Sequence, residues 1–274
     1  GLAADQIGVF DPAYPLENVV VIQSAPEQNV LPPDVRAFFP AEGYSACSML
    51  GSNNPVFPEK WGRHIPLIDC VDPHGRHRGS AGAIAHNYAG PYAGSSWAFF
   101  GVTNTDLFAE HGPLLRYLST VADAVTARVF LHSLSTEFQC YRDGEHVSIS
   151  CRAANLGSRA FSGSVVFTVI GRDGRPVYAS DAAAVSLAAG QTSVLSAGFV
   201  LRQRASDLYR VSAELRSEDR LVDATETGFA AYKTESDRRG LDLSYSDNYF
   251  RSGDRPTLLS GTNVTGAMLY SANE

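Results

Sequence analysis

Between residues 133 and 232 the chain alternates apolar and polar side chains at period two in four segments, 145–151, 163–170, 192–201 and 208–215. That period is the signature of strands with one face packed and one face wet. The reversals between them fall at Asn155 to Gly157, Gly171 to Gly174 and Ala189 to Gly190. Strands of this length with such punctuation predict an antiparallel β-sandwich of about seven strands in roughly 100 residues. The phase is fixed as well. Val147, Ile149 and Cys151 share one face with Val165, Phe167 and Val169 opposite them, leaving Ser148, Ser150, Ser164 and Thr168 for water or the other edge.

The region before it, 1–131, reads differently. Val19 to Ile22 form an unbroken apolar run, a pattern of strands covered on both faces, which predicts an α/β arrangement. Segments 64–71 and 80–88 flank the polar reversal 72–76 and predict a hairpin. After the Gly/Pro loop 89–94 comes a strand from Trp97 to Val102. Asn104 then offers an N-cap to a helix of about five turns, with Leu114, Leu115, Leu118, Val121 and Val125 at helical spacing. On the other side of the sandwich a charged linker, 233–248, leads to a hairpin turning at Ser252, Gly253 and Asp254. Beyond Pro256 an apolar strand, Thr257 to Leu259, ends in Gly261, Thr262 and Asn263.

That last segment, through Tyr249, Phe250, Gly253, Pro256, Leu259, Gly261 and Asn263, resembles the lead-in to the catalytic (β/α)₈ barrel of multidomain glycoside hydrolases of the β-galactosidase-like, barrel type. The set Tyr141, Gly144, Glu145, Asn155, Gly157, Asp173, Gly174, Gly190 and Tyr209 to Val211 resembles the immunoglobulin-like modules placed before such barrels. The strand ending in Phe99, Phe100 and Gly101, followed by a closing helix, is similar to the tail of amidotransferase-like α/β domains in these enzymes; a twisted β-rich sandwich is the alternative. The fold class these resemblances imply is mixed. An α/β domain (1–131) is followed by an immunoglobulin-like antiparallel β-sandwich (133–232), a linker (233–248) and the first strand of a (β/α)₈ barrel, incomplete here (249–274). Barrel enzymes carry their catalytic groups at the ends of several strands. The resemblance therefore implies no catalytic residue in this stretch and an intramolecular catalytic barrel as partner. It also places Asn263 at the rim of a substrate pocket, holding a sugar hydroxyl; the other reading of Asn263 is a residue that merely turns the strand into its loop.

A net charge of −7, with Lys and Arg scattered among acids, gives no footprint for a phosphate backbone, so nucleic acid is not an expected partner. No apolar run reaches the roughly 18 residues a membrane span needs. The start at Gly1, with neither Met nor a signal-peptide shape, is expected of a trimmed or internal piece. The four cysteines make no paired framework, and pairing about the 142–144 turn sets Cys140 opposite a residue near Val147 rather than Cys151. Secreted, periplasmic and cytoplasmic locations all stay open, as does homo-oligomerisation.

Candidate chemistry is sparse. Cys70, His74 and His77 are zinc-type ligands, but no second cluster completes a tetrahedron, and a solvated hairpin tip is the preferred reading, with no metal. Ser95 and Ser96 lack the strand-nucleophile-helix context, Cys47 lacks the glycines of a nucleophile elbow, and no phosphate cradle implies a cofactor. Tyr88, Tyr92 and Trp97 surround the 89–94 loop; flat rings stack on sugar faces, and Tyr92 is the one expected to be exposed, with Trp97 assigned to the core. The expected function is an accessory region of a glycoside hydrolase acting on poly- or oligosaccharide, not catalytic by itself. The alternative is a non-enzymatic carbohydrate-binding or adhesion module.

Overall fold

A computed structural model of the chain describes residues 14–26, 28–38, 46–48, 62–202, 208–218, 220–231, 243–246, 249–252 and 255–256. Its N-terminal strands are β1 (Tyr14–Leu16), β2 (Val21–Ser24), β3 (Arg36–Phe38), β4 (Ala46–Ser48), β5 (Gly62–Val71), β6 (His77–Asn87) and β7 (Ser96–Phe100). β1 pairs with β4, and the other five form a sheet of order β3-β2-β5-β6-β7. Every pairing here is antiparallel. The α/β expectation for 1–131 is therefore corrected. The run Val19 to Ile22 is not a strand buried on both faces: it starts as a buried lead-in at Val19 and then alternates half-buried and buried along β2. The β5–β6 turn supplies the physical reason, being far too short for a parallel crossover. Asp72 builds that turn. Its N–H donates to Arg76 O, its Oδ1 accepts from the His74 and Arg76 N–H groups, and Gly75 takes the left-handed φ of 75°.

The five-turn helix is also corrected. Thr105–Phe108 and Leu115–Tyr117 are single 3-10 turns, and only α1 (Leu118–Ala127) is an α-helix. Asn104 caps as expected, its side-chain oxygen accepting from Asp106 N at 3.0 Å, but what it caps is the first short turn. Gly112 and Pro113 break the run. Proline disfavours helix in the residue before it, and Gly112 packs where a Cβ would collide with the Asp106 and Leu107 carbonyl oxygens. Of the periodic apolar residues, Leu114 and Val121 reach the core and Val125 packs against it, joined by Leu107 in the cluster with Ile22, Leu67, Ile68 and Ile84, whereas Leu115 and Leu118 are exposed.

The remaining strands up to residue 231 are β8 (Val129–Thr136), β9 (Cys140–Tyr141), β10 (His146–Asn155), β11 (Phe161–Gly171), β12 (Pro176–Ala179), β13 (Ala183–Leu187), β14 (Thr192–Val200), β15 (Leu208–Ser217) and β16 (Arg220–Ala231). They form two sheets, β14-β10-β8 and β12-β11-β15-β16-β9, with β13 also on β11. The expected phase holds. Val147, Ile149 and Cys151 from one sheet and Val165, Phe167 and Val169 from the other lie in one core, each at most 1% exposed. This is a β-sandwich. One pairing differs from expectation: Cys140 stands opposite Ala230 in a parallel β9–β16 ladder, because β9 joins the second sheet instead of folding back on β10. Cys140 and Cys151 are free thiols.

Three further strands, β17 (Leu243–Ser246), β18 (Tyr249–Ser252) and β19 (Arg255–Pro256), make an antiparallel meander, with Ser252 opposite Arg255 as the expected hairpin requires. The expected barrel strand Thr257 to Leu259 and Asn263 lie outside the described residues. No described helix is long and apolar enough to cross a membrane.

Candidate functional site

The loop that the sequence marks for aromatic recognition is closed by backbone bonds from Gly94 N to Asn87 O at 2.7 Å and from Asn87 N to Ser95 O at 2.9 Å. Left-handed Gly90 and Gly94, at φ 70° and 84°, let it turn that tightly. Its hub is the Ser95 hydroxyl, which accepts from Asn87 Nδ2 and Trp97 Nε1 at 2.9 Å each and donates to Tyr92 O at 2.7 Å. A hydroxyl so engaged is a structural tie rather than a nucleophile. Ser96, the other serine of the pair, opens β7 and meets His86 Nδ1 at 2.8 Å. Arg128 reaches across from the end of α1 to donate to Gly94 O. Tyr92 and Trp97 are both half-buried, so neither the exposed tyrosine nor the core tryptophan of the sequence reading is found in its pure form. Each presents part of its ring on a backbone fixed from three sides.

Directly behind this loop the N-terminal sheet meets the sandwich through Tyr88, which the sequence singled out for the loop, and through residues that sequence reasoning missed. His86 stacks on Phe130 with centroids 4.7 Å apart and planes 5° from parallel, and Tyr88 stacks on His132 at 4.0 Å and 22°. Arg63, opposite His86 in the β5–β6 ladder, donates from Nη2 to Ala224 O at 2.6 Å and lies 3.6 Å from Asp223 Oδ1. Asp223 Oδ2 accepts in turn from Leu131 N at 2.7 Å, so one carboxylate ties β5, β8 and β16 together. Asn29 adds bonds from Nδ2 to the Leu221 and Val222 carbonyls.

The electrostatics of this seam follow from burial. Desolvation, helped by the Arg63 and Arg128 charges, pulls the His86 imidazole down to about 4. Desolvation with Arg152 and Arg63 does the same to His132, also to about 4. Both rings are therefore neutral at neutral pH. Burial raises Tyr88, against a hydrogen bond with Ser133, and raises Asp223, against the pull of Arg63 and of the Leu131 and Ala224 N–H groups. Burial, with Asp223 adding to it, pushes the Cys151 thiol up to about 12, which leaves it protonated and unreactive. The cluster is a fastening that carries the loop, with its acid-base groups silenced. A clue was present in the sequence: Asp223 is a lone acid in an apolar setting, Leu221-Val222-Asp223-Ala224, and such a charge inside a strand needs a partner.

The zinc-type trio is pulled apart. Cys70 lies in the N-terminal core, whereas His74 belongs to the exposed turn and His77 Nε2 lies 3.2 Å from Asp69 Oδ1 on the opposite sheet face. Cys47 lies in β4, opposite Pro15.

No protein-family model matches the chain, and no curated protein matches it. Among solved structures it is similar to the sporulation control protein Spo0M of Bacillus subtilis, with 12% identity and a TM-score of 0.31 over 39% of this chain and 50% of that one. It is also similar to a putative β-galactosidase from Bacteroides fragilis, at 14% identity and TM-score 0.30 over 39% of this chain and 16% of that one. The alkylpurine DNA glycosylase AlkC of Pseudomonas fluorescens, bound to DNA containing an abasic site analog, matches at 16% and 0.32 over 43% of this chain and 33% of that one. The chain thus spans half or less of the length of each of these proteins.

Proposed function

We propose that this chain is a non-catalytic accessory region of a glycoside hydrolase that acts on poly- or oligosaccharide, and that Tyr92 contributes to sugar contact. The observation that carries the reading is the Tyr92 loop: two half-buried rings, Tyr92 and Trp97, are held on a Ser95 hub that a buried seam fixes to a sandwich. Amphipathic rings of this kind offer an apolar face to sugar C–H groups and a polar tip to hydroxyls. Pre-ordering them lowers the entropy lost on binding. The hydrolase part of the reading draws on the resemblance of 249–263 to a barrel lead-in, and on the β17–β19 meander that precedes Thr257. In this reading the sandwich is immunoglobulin-like and occupies 133–232, after an accessory unit 1–131. The linker is 233–248, a catalytic barrel beginning at 249 supplies the two carboxylates, and Asn263 faces its pocket.

The test is affinity electrophoresis on a panel of soluble polysaccharides, run beside hydrolysis assays on aryl glycosides. The chain is expected to be retarded by at least one polysaccharide and to release no product, and Tyr92→Ala is expected to lower the retardation severalfold. Hydrolysis abolished by a single Asp or Glu change within the chain would overturn the accessory assignment. A chain that binds polysaccharide, in a protein without a barrel, would instead favour the adhesion module, which the same loop supports.

A further inference from the structure

The N-terminal sheet has a second polar face, at the opposite end of the β5–β6 hairpin from the Tyr92 loop. Register sets Arg36, Gln23, Asp69 and Ser80 in one row across β3, β2, β5 and β6. The neighbouring row holds Phe38, Val21, Val71 and His77. The core side of the same strands is Ile22, Ile68 and Cys70, so this row faces away from the core. Over it lies a cleft of about 390 Å³, whose lining includes Gln23, Pro26, Pro66, Asp69, His77 and Ser80. That volume is in the range of small-molecule sites.

Asp69 is the unusual member. It is only 8% exposed, and its Oδ1 accepts from Ser80 Oγ at 2.6 Å and faces His77 Nε2 at 3.2 Å. A carboxylate has room for about four donors, and among the described residues Oδ2 takes none. An acceptor with spare capacity on a residue that lines a cleft can take a donor from a ligand. A neutral hydroxyl suits the site: Gln23 and His77 each offer a donor or an acceptor, as a hydroxyl does. Pro26 and Pro66 give apolar walls, and Phe38, 73% exposed, adds a ring on the same sheet face.

We propose that this face is a second saccharide subsite, in which Asp69 accepts a sugar hydroxyl and Phe38 stacks on a neighbouring sugar ring; the proposal rests on the carbohydrate reading above. The test titrates xylo-, cello-, malto- and galacto-oligosaccharides into the whole chain, followed by calorimetry and by amide chemical shifts. For the wild type, shifts are expected at Gln23, Val71 and Ser80. Asp69→Asn is expected to weaken binding about tenfold, the range of a hydrogen bond to a charged group. Phe38→Ala, at a position too exposed to threaten folding, is expected to weaken it severalfold. Wild-type binding with shifts confined to the Tyr92 loop, and unchanged affinity in both variants, would overturn the subsite and leave the carbohydrate reading in place. A wild-type chain that binds none of the sugars would remove both.

Discussion

The sandwich and the N-terminal sheet use the same strand chemistry to opposite ends. In the sandwich, two sheets turn their apolar faces to each other, so that Phe167 and Ile149 are each 1% exposed, and the outward positions are mostly polar or charged, with Val194, Val200 and Leu208 exposed among them. The N-terminal sheet is buried through its middle as well, from Ala81 to Asn87 of β6, but among the described residues its end at the β5–β6 turn leaves a charged and aromatic row with Arg36 and Phe38 exposed. Among the described residues, that end of the sheet is where side chains are offered for recognition. Stability is expected to concentrate in the sandwich and ligand chemistry in the sheet.

The largest effect that tests this contrast is Phe167→Ala, expected to cost about 3 to 5 kcal/mol through the cavity it leaves. Thr168→Ala, one position along and half-buried, should stay within about 0.5 kcal/mol. Denaturant unfolding of the whole chain measures both, and a costlier Thr168→Ala would break the assignment of strand faces. Next is Asp223→Ala, which leaves Arg63 and the Leu131 N–H without their carboxylate and should cost about 3 kcal/mol. It is expected to separate the unfolding of the two cores into two steps, monitored by Trp97 fluorescence against far-UV circular dichroism. A single unchanged transition would show that the seam couples nothing.

Acidity sharpens the same contrast. The His86 folded value of about 4 lies below the unfolded 6.5, so the unfolded chain binds the proton more readily. Stability from this group is complete above pH 6.5 and is lost as pH falls towards 4. Between pH 7 and 4.5 the loss from His86 is about 2 kcal/mol, and His132 acts in the same direction. Asp223, raised by burial, acts in the opposite sense and offsets part of the loss. His86→Phe should flatten the pH dependence; a slope equal to that of the wild type would remove His86 as its source. The smallest effect is at the turns. Gly75→Ala and Gly174→Ala, at φ 75° and 79°, should each cost about 1 kcal/mol, equal in sheet and sandwich because the strain is local. Unequal losses in paired melts would show that one turn is coupled to its core.

The sandwich was legible because period-two strands announce which side is inside: β10, β11, β14 and β15 coincide with the alternating segments to within a few residues. The strand β16 was not singled out, since Asp223, Thr225, Glu226 and Thr227 blur its alternation, and the burial of Asp223 depends on an arginine 160 positions away. Val19 to Ile22 misled because an apolar run does not say whether its residues enter a strand or precede it. Gly112 and Pro113 were visible breakers set against a strong helical spacing, and the breakers won. The Tyr92 loop could be seen as a loop, but its hub could not: Ser95 bonds to Asn87 and Trp97 only once β6 and β7 are paired. The Asp69 row required register, which no local pattern contains.

The ties that lock the seam join residues far apart in the chain: Arg63 to Ala224, 161 positions on, and Asn29 to Leu221, 192 positions on. At about 5 to 20 residues per second of synthesis, Arg63 leaves the ribosome roughly 8 to 32 seconds before its acceptor exists. Over that interval the N-terminal sheet holds the Arg63 guanidinium and the His86 imidazole without the strands that bury them, and His132 follows on β8. The order of manufacture thus makes the sandwich the late-arriving lid of a sheet that must wait for it, and a ribosome pause between residues 131 and 224 lengthens the time in which His86, Tyr88 and Phe130 are available to the wrong neighbour.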